Sequence, residues 1–187
     1  MTNPVLEAIR TRRVVRAVTD EPLTRQPLEA ILDAARWAPT AGNRHLQRYV
    51  VVEHPGTLQA LRMVAPGMEQ RPMTVVAICV DWGAVAAYGF PPHVTGPYLD
   101  VGAAMATMLL AAHSLGVGAS PVSSFSRAGA GAVLRLPDGW RAEVLLCLGH
   151  PAPVQPPPFA RTPRLTWRDL TTWVPAVGVP TTYRSEA

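Results

Sequence analysis

The chain has 187 residues, 48% hydrophobic and 16% charged, a balance that excludes a disordered segment and supplies the core of a single globular domain over 1–187. Seventeen basic residues against thirteen acidic give a net charge of +4. All seventeen are arginines scattered along the chain, as GC-rich coding produces, and with no basic and aromatic stripe the charge favours small anionic ligands over nucleic acid.

Asn3-Pro4 opens a first helix, a capping residue followed by proline at the first helical position, with Val5, Leu6 and Ile9 on its apolar face. This helix is expected to reach about Arg13, after which Val14-Val15 favours extended chain. Thr24 caps a second helix with a stripe of Leu28, Ile31, Leu32 and Ala35, ending before Pro39 because the residue preceding proline avoids the helical region. Tyr49 to Val52 reads as a strand, Thr57 to Val64 as a short helix and Thr74 to Val80 as a second strand. Residues 82–97, rich in proline, glycine and aromatics, read as a loop and candidate lid. A long helix follows from about Tyr98 to Leu115 and stops at Gly116. Its run Val101–Ala112 is apolar apart from Thr107 but about half the length of a membrane span, which makes it a buried core helix. Val117 to Val122 is a short strand or extended turn, Ser126 to Leu136 a helix diluted by glycine, and Ala142 to Leu148 a third clear strand. Pro151 to Pro158 must be an extended connector, and a short helix is expected within 164–174.

Strands interleaved with helices, and lacking polar alternation, predict a three-layer arrangement with both sheet faces covered. The apolar tail 175–187 suits an arm that packs on another subunit. Cys79 and Cys147, in apolar runs too far apart for a CxxC motif, read as buried structural thiols. The five histidines lack metal-ligand spacing. The N-terminus enters a charged helix rather than a signal peptide, so a soluble cytoplasmic protein is expected.

Two stretches can hold a ligand. Arg12, Arg13 and Arg16 gather guanidinium forks suited to a phosphate, although cations at a helix C-terminus are also favoured by the helix dipole. In Ala38-Pro39-Thr40-Ala41-Gly42-Asn43, Thr40 and Asn43 offer side-chain hydrogen bonds and Gly42 permits close backbone approach.

In order, these stretches resemble the motifs of the FMN-dependent nitroreductase family. Arg12-Arg13-Val14-Val15-Arg16 is similar to that family's first arginine motif, and Ala38 to Gln47 to its Ala-Pro-Ser-x-x-Asn-x-Gln-Pro-Trp segment. Asp100-Val101-Gly102-Ala103-Ala104 through Leu115-Gly116-Val117-Gly118 matches its Asp-x-Gly-x-Ala helix, and Leu148-Gly149-His150-Pro151 its closing strand. The resemblance spans about residues 4–175 and implies an α+β, three-layer α/β/α fold. A central, mostly antiparallel sheet would be flanked by helices in an intertwined homodimer with FMN at the subunit interface.

Carried over residue by residue, Arg12, Arg13 and Arg16 would hold the FMN phosphate and ribityl chain, with the Val14 backbone near the ring edge. Arg161 or Arg164 would add a phosphate contact, the spacing favouring Arg164. Pro39, Thr40, Ala41, Asn43 and His45 would reach the partner's flavin. Pro121, Val122 and Ser123 would lie along its ring. Val14 stands where the family has serine, and His45-Leu46-Gln47 where it has Gln-Pro-Trp. The implied activity is hydride transfer from NADH or NADPH through flavin N5 to a nitroaromatic, quinone or related acceptor, in a ping-pong mechanism. The flavin carries the chemistry, so no catalytic side chain is required. A flavin-dependent dehydrogenase or oxidase of the same fold, reoxidised by oxygen, is the alternative. Arg13→Ala is expected to weaken FMN binding by a few kcal/mol.

Overall fold

The computed structural model describes residues 3–91, 93–157 and 165–174. Residues 1–156 form one compact unit and 157–187 a second. In the first unit, Asn3 Oδ1 accepts from the amides of Val5 and Leu6 and starts α1 (Pro4–Thr11). The helix stops at Thr11, short of the expected Arg13, because Arg12 turns extended with ψ 132°. Then come α2 (Arg25–Arg36), β1 (Gln47–Val52), α3 (Pro55–Met63), β2 (Thr74–Asp81), α4 (Trp82–Ala87), α5 (Gly96–Ser114), β3 (Gly118–Val122), α6 (Arg127–Leu134) and β4 (Trp140–Gly149).

The four strands run antiparallel in the order β1-β2-β4-β3. The apolar run of β2 is explained by burial on both faces. Val76, Ile78 and Val80, with Leu146 and Leu148, pack beneath Leu28 and Ile31 of α2 and Met108 and Ala112 of α5. On the other face Val75, Ala77 and Cys79, with Leu145 and Cys147, pack on Leu58 and Leu61 of α3 and Ala130 of α6. Both thiols are free and buried, and burial pushes each up to about 12.

Two expectations need correction. Residues 82–97 are not a continuous loop: α4 fills 82–87, capped by Asp81 Oδ1, which accepts from the Ala84 amide at 2.9 Å. In the second unit no helix forms within 165–174. Asp169 Oδ2 takes the Thr166 amide and hydroxyl at 2.6 and 2.8 Å, and turns span 167–170. The backbone bonds there run from i+3 to i, Asp169 to Thr166 and Leu170 to Trp167 at 3.2 Å each, which makes turns and not an α-helix. The expected arm 175–187 lies outside the described residues, as do Arg161 and Arg164.

One polar cluster sits inside the first unit. Glu143, buried on β4, takes Arg127 Nε at 2.8 Å, Arg141 Nε at 2.6 Å and Trp82 Nε1 at 3.3 Å. Among the described residues, no helix is long and apolar enough to cross a membrane.

Candidate functional site

The arginine segment is a strap laid along β3. Val15 donates its amide to the Ala119 carbonyl at 3.0 Å, and Thr19 to His150 at 2.9 Å. Glycines allow this approach: a Cβ at Gly118 would stand 2.7 Å from Val15 Cγ1, and one at Gly149 2.8 Å from Val18 Cβ. Gln155 completes the attachment. Its Oε1 accepts from the Arg16 and Ala17 amides at 3.0 and 3.1 Å, and its Nε2 donates to the Ala17 and Ala152 carbonyls at 2.7 and 3.0 Å.

The three arginines are not equivalent. Arg13 folds back on the helix end, its Nη1 donating to the carbonyls of Arg10 at 2.7 Å and Arg12 at 3.0 Å, so it works as a C-terminal cap. Arg12 is half-buried, and its Nη1 is buried with no hydrogen-bond partner among the described residues. An ionised donor in that state is costly until an acceptor arrives. Arg16 is half-buried on the same strap, as is Val14, which brings no hydroxyl. This donor set fits a phosphate-bearing ligand.

Pro121 and Val122 end the strand beneath the strap, and exposed Ser123 follows. Pro121 shares strand parity with Ala119, whose carbonyl points outward to Val15, so its missing N–H removes no bond from the β4 side of this edge strand.

The second stretch is a tight turn over Ala41–Asn43. Gly42 (φ 62°), Asn43 (φ 54°) and His45 (φ 50°) are all left-handed, a conformation that non-glycine residues hold only when their surroundings fix it. Here Asp100, buried at the start of α5, accepts the Ala41 amide at 3.0 Å. Thr40 Oγ1 accepts the His45 amide at 3.3 Å, and His45 Nε2 lies 2.9 Å from Asn43 Oδ1. An amide oxygen only accepts, so this ring nitrogen is the donor. Pro39, Ala41, Asn43 and His45 are exposed. Arg44 turns away, its guanidinium 4.7 Å from the centroids of both Tyr88 and Phe90.

Helix α5 fixes where the two stretches stand. The turn is tied to Asp100, whereas α1, which leads into the strap, is tied to His113, whose Nε2 lies 2.9 Å from Thr11 Oγ1. Thirteen residues of one helix separate those anchors, a rise of about 20 Å. The structure therefore puts Arg12, Val14 and Arg16 on a strap held to β3 at Ala119, the strand that Pro121 and Val122 end, and Pro39–His45 on a turn anchored elsewhere along α5. A cleft of about 540 Å³ between β1 and the end of α6, lined by Val51, His54 and Arg135 among others, contains none of these residues.

Asp100 and Gln155 are the residues that reasoning on the sequence left out of the site. An acid in an otherwise apolar helix was a usable signal for Asp100. Gln155, 139 positions from Arg16 and inside a proline-rich connector, offered none.

A four-stranded antiparallel sheet covered by helices on both faces thus carries an arginine strap and a left-handed Asn turn. The chain belongs to the nitroreductase family, whose pattern matches residues 9–70 and 65–150. It is 30% identical over 177 residues to a Rhodopseudomonas palustris protein named for NADH dehydrogenase/NAD(P)H nitroreductase, covering 84% of this chain and 89% of that one. A Methanothermobacter thermautotrophicus protein of the same name is 33% identical over 117 residues, 62% of this chain and 58% of that protein. FMN reductase [NAD(P)H] of Bacillus subtilis is 26% identical over 137 residues, 65% of this chain and 55% of that enzyme. The match thus spans a little over half the length of the last two relatives. The solved structure of NfrA1 from B. megaterium superimposes with a TM-score of 0.78 at 22% identity, covering 98% of this chain and 76% of that one.

Proposed function

We propose that the protein is a homodimeric FMN-dependent NAD(P)H oxidoreductase acting on nitroaromatic, quinone or related acceptors. The observation that carries this reading is the buried, unpartnered Nη1 of Arg12 on a strap held against β3. Arg12 and Arg16 would grip the phosphate, and Arg161 or Arg164 would add to them. Val14 and Pro121–Ser123 would lie along the ring; of the last three only Ser123 could offer its amide, because Pro121 has none and Val122 turns its N–H to β4. Bound FMN would supply the redox chemistry, taking hydride from NADH or NADPH and reducing the acceptor in a separate half-reaction. The residues around it bind, orient and exclude water.

The dimer is supported by two features of a single chain. The anchors of the strap and of the Asn43 turn stand about 20 Å apart along α5, which supports a site in which a second copy would bring its Pro39, Thr40, Ala41, Asn43 and His45 to the strap. The apolar helix α5 also leaves Leu99 and Ala106 exposed, and α1 leaves Val5, Leu6 and Ile9 exposed, a surface suited to burial against another subunit.

The visible spectrum of the purified protein tests the reading. A flavin band that bleaches anaerobically with NADH or NADPH is expected. A colourless protein that neither quenches added FMN nor is thermally stabilised by it would sink the proposal. A yellow protein that neither nucleotide bleaches would move the assignment to the dehydrogenase or oxidase alternative.

A further inference from the structure

We infer that Gln155 is a positioning residue for the anion-binding strap: it fixes the backbone from which Arg16 projects and thereby sets the preference for a phosphorylated flavin. The inference rests on the FMN reading. Gln155 sits between Pro153, Pro156 and Pro157, a connector whose backbone has few amides to form a ladder with the strap. Its side-chain amide replaces the missing peptide group. One oxygen takes two consecutive strap amides, Arg16 and Ala17, and one nitrogen serves the carbonyls of Ala17 and Ala152. All four bonds lie between 2.7 and 3.1 Å.

Upstream the strap is held through the Val15 amide on Ala119, and downstream through Ala17 on Ala152 and Thr19 on His150. Without Gln155 the Arg16 and Ala17 amides lose their acceptor, and the segment between Val15 and Thr19 can shift. Recognition of a phosphate by converging guanidinium groups depends on their separation, whereas contact with the flavin ring does not involve Arg16. Gln155 should therefore govern the phosphate increment of binding and leave ring binding alone.

The test compares FMN with riboflavin, which lacks the phosphate, by fluorescence titration of the full-length apoprotein. Wild type should bind FMN much more tightly than riboflavin. Gln155→Leu, which loses all four bonds, should lower FMN affinity about tenfold, with riboflavin affinity unchanged. Gln155→Glu keeps the two acceptor contacts and loses the two donor ones. It provides a milder variant if the leucine chain does not fold, and should show a smaller FMN-specific loss. Equal losses for both ligands, or no loss for either, would overturn the inference, since a merely structural role moves both together. A wild type that binds FMN no better than riboflavin would overturn the phosphate reading itself, and this inference with it.

Discussion

Arg12→Met should move the stability of the apoprotein and the affinity for FMN in opposite directions. The variant keeps an aliphatic stem and removes the charged head, whose Nη1 is buried without a partner among the described residues. In the apoprotein that donor is desolvated and unpaired, a state costing about 1–3 kcal/mol. Its removal should raise the midpoint of thermal unfolding by about 2–4 °C per kcal/mol for a chain of this size. With FMN bound, the same donor is expected to meet a phosphate oxygen, and a hydrogen bond to a charged group contributes about 1.5–3 kcal/mol. Its loss should weaken FMN binding about 10- to 100-fold. Scanning calorimetry of the apoprotein and fluorescence titration with FMN measure the two halves independently. Arg13→Ala is the control: its Nη1 already caps the carbonyls of Arg10 and Arg12, so it should lower stability by about 1 kcal/mol and weaken FMN less than Arg12→Met does. This reverses the priority that the sequence gives Arg13. An FMN affinity within about twofold of wild type for Arg12→Met, or an apoprotein that it destabilises, would refute the reasoning.

Gly118→Ala should weaken both folding and FMN binding, because its Cβ meets Val15 Cγ1 at 2.7 Å, and Val15→Ala in the same chain should restore much of the loss, a coupling read by a double-mutant cycle. At the Glu143 cluster, Glu143→Gln should cost about 1–2 kcal/mol, since Arg127 and Arg141 are 47% and 41% exposed and can turn to water. Removing both arginines should cost about 3–5 kcal/mol, because it strands a carboxylate that is 2% exposed; urea melts that rank the variants the other way would disprove this account. The two thiols, pushed up to about 12 in the fold, stay protonated where an unfolded thiol ionises. The folded chain then binds more protons, and stability falls as pH rises above about 9, by up to about 1.4 kcal/mol per pH unit for each thiol. Cys79→Ala and Cys147→Ala should each flatten that alkaline slope in chemical denaturation.

The sheet was legible because 49–52 and 75–80 are continuously apolar and 142–148 is broken only by Glu143, in runs too short for a buried helix. α4 was missed because Trp82-Gly83-Ala84-Val85-Ala86-Ala87 is only six residues long, carries Gly83, and runs into a stretch rich in proline and glycine. Its surest sign, the cap at Asp81, becomes visible only once the end of β2 is known. Within the site the residue types were readable and their roles were not. Whether an arginine caps its own helix or awaits a ligand is decided by a backbone turn at Arg12, and Arg13 took the bland role that a helix terminus offers. The assignment of Gln155 depends on contacts across 139 positions, beyond any local pattern.

The distance that α5 puts between its two anchors has a genetic consequence. If each site takes its strap from one subunit and its Asn turn from the other, a strap-defective chain such as Arg12→Met and a turn-defective chain such as Asn43→Ala damage different halves. Mixed at random, the two produce heterodimers carrying one site with both lesions and one with neither, so about a quarter of all sites regain wild-type composition. Two weakly binding alleles would complement each other when co-expressed, which a site enclosed in one chain could never do.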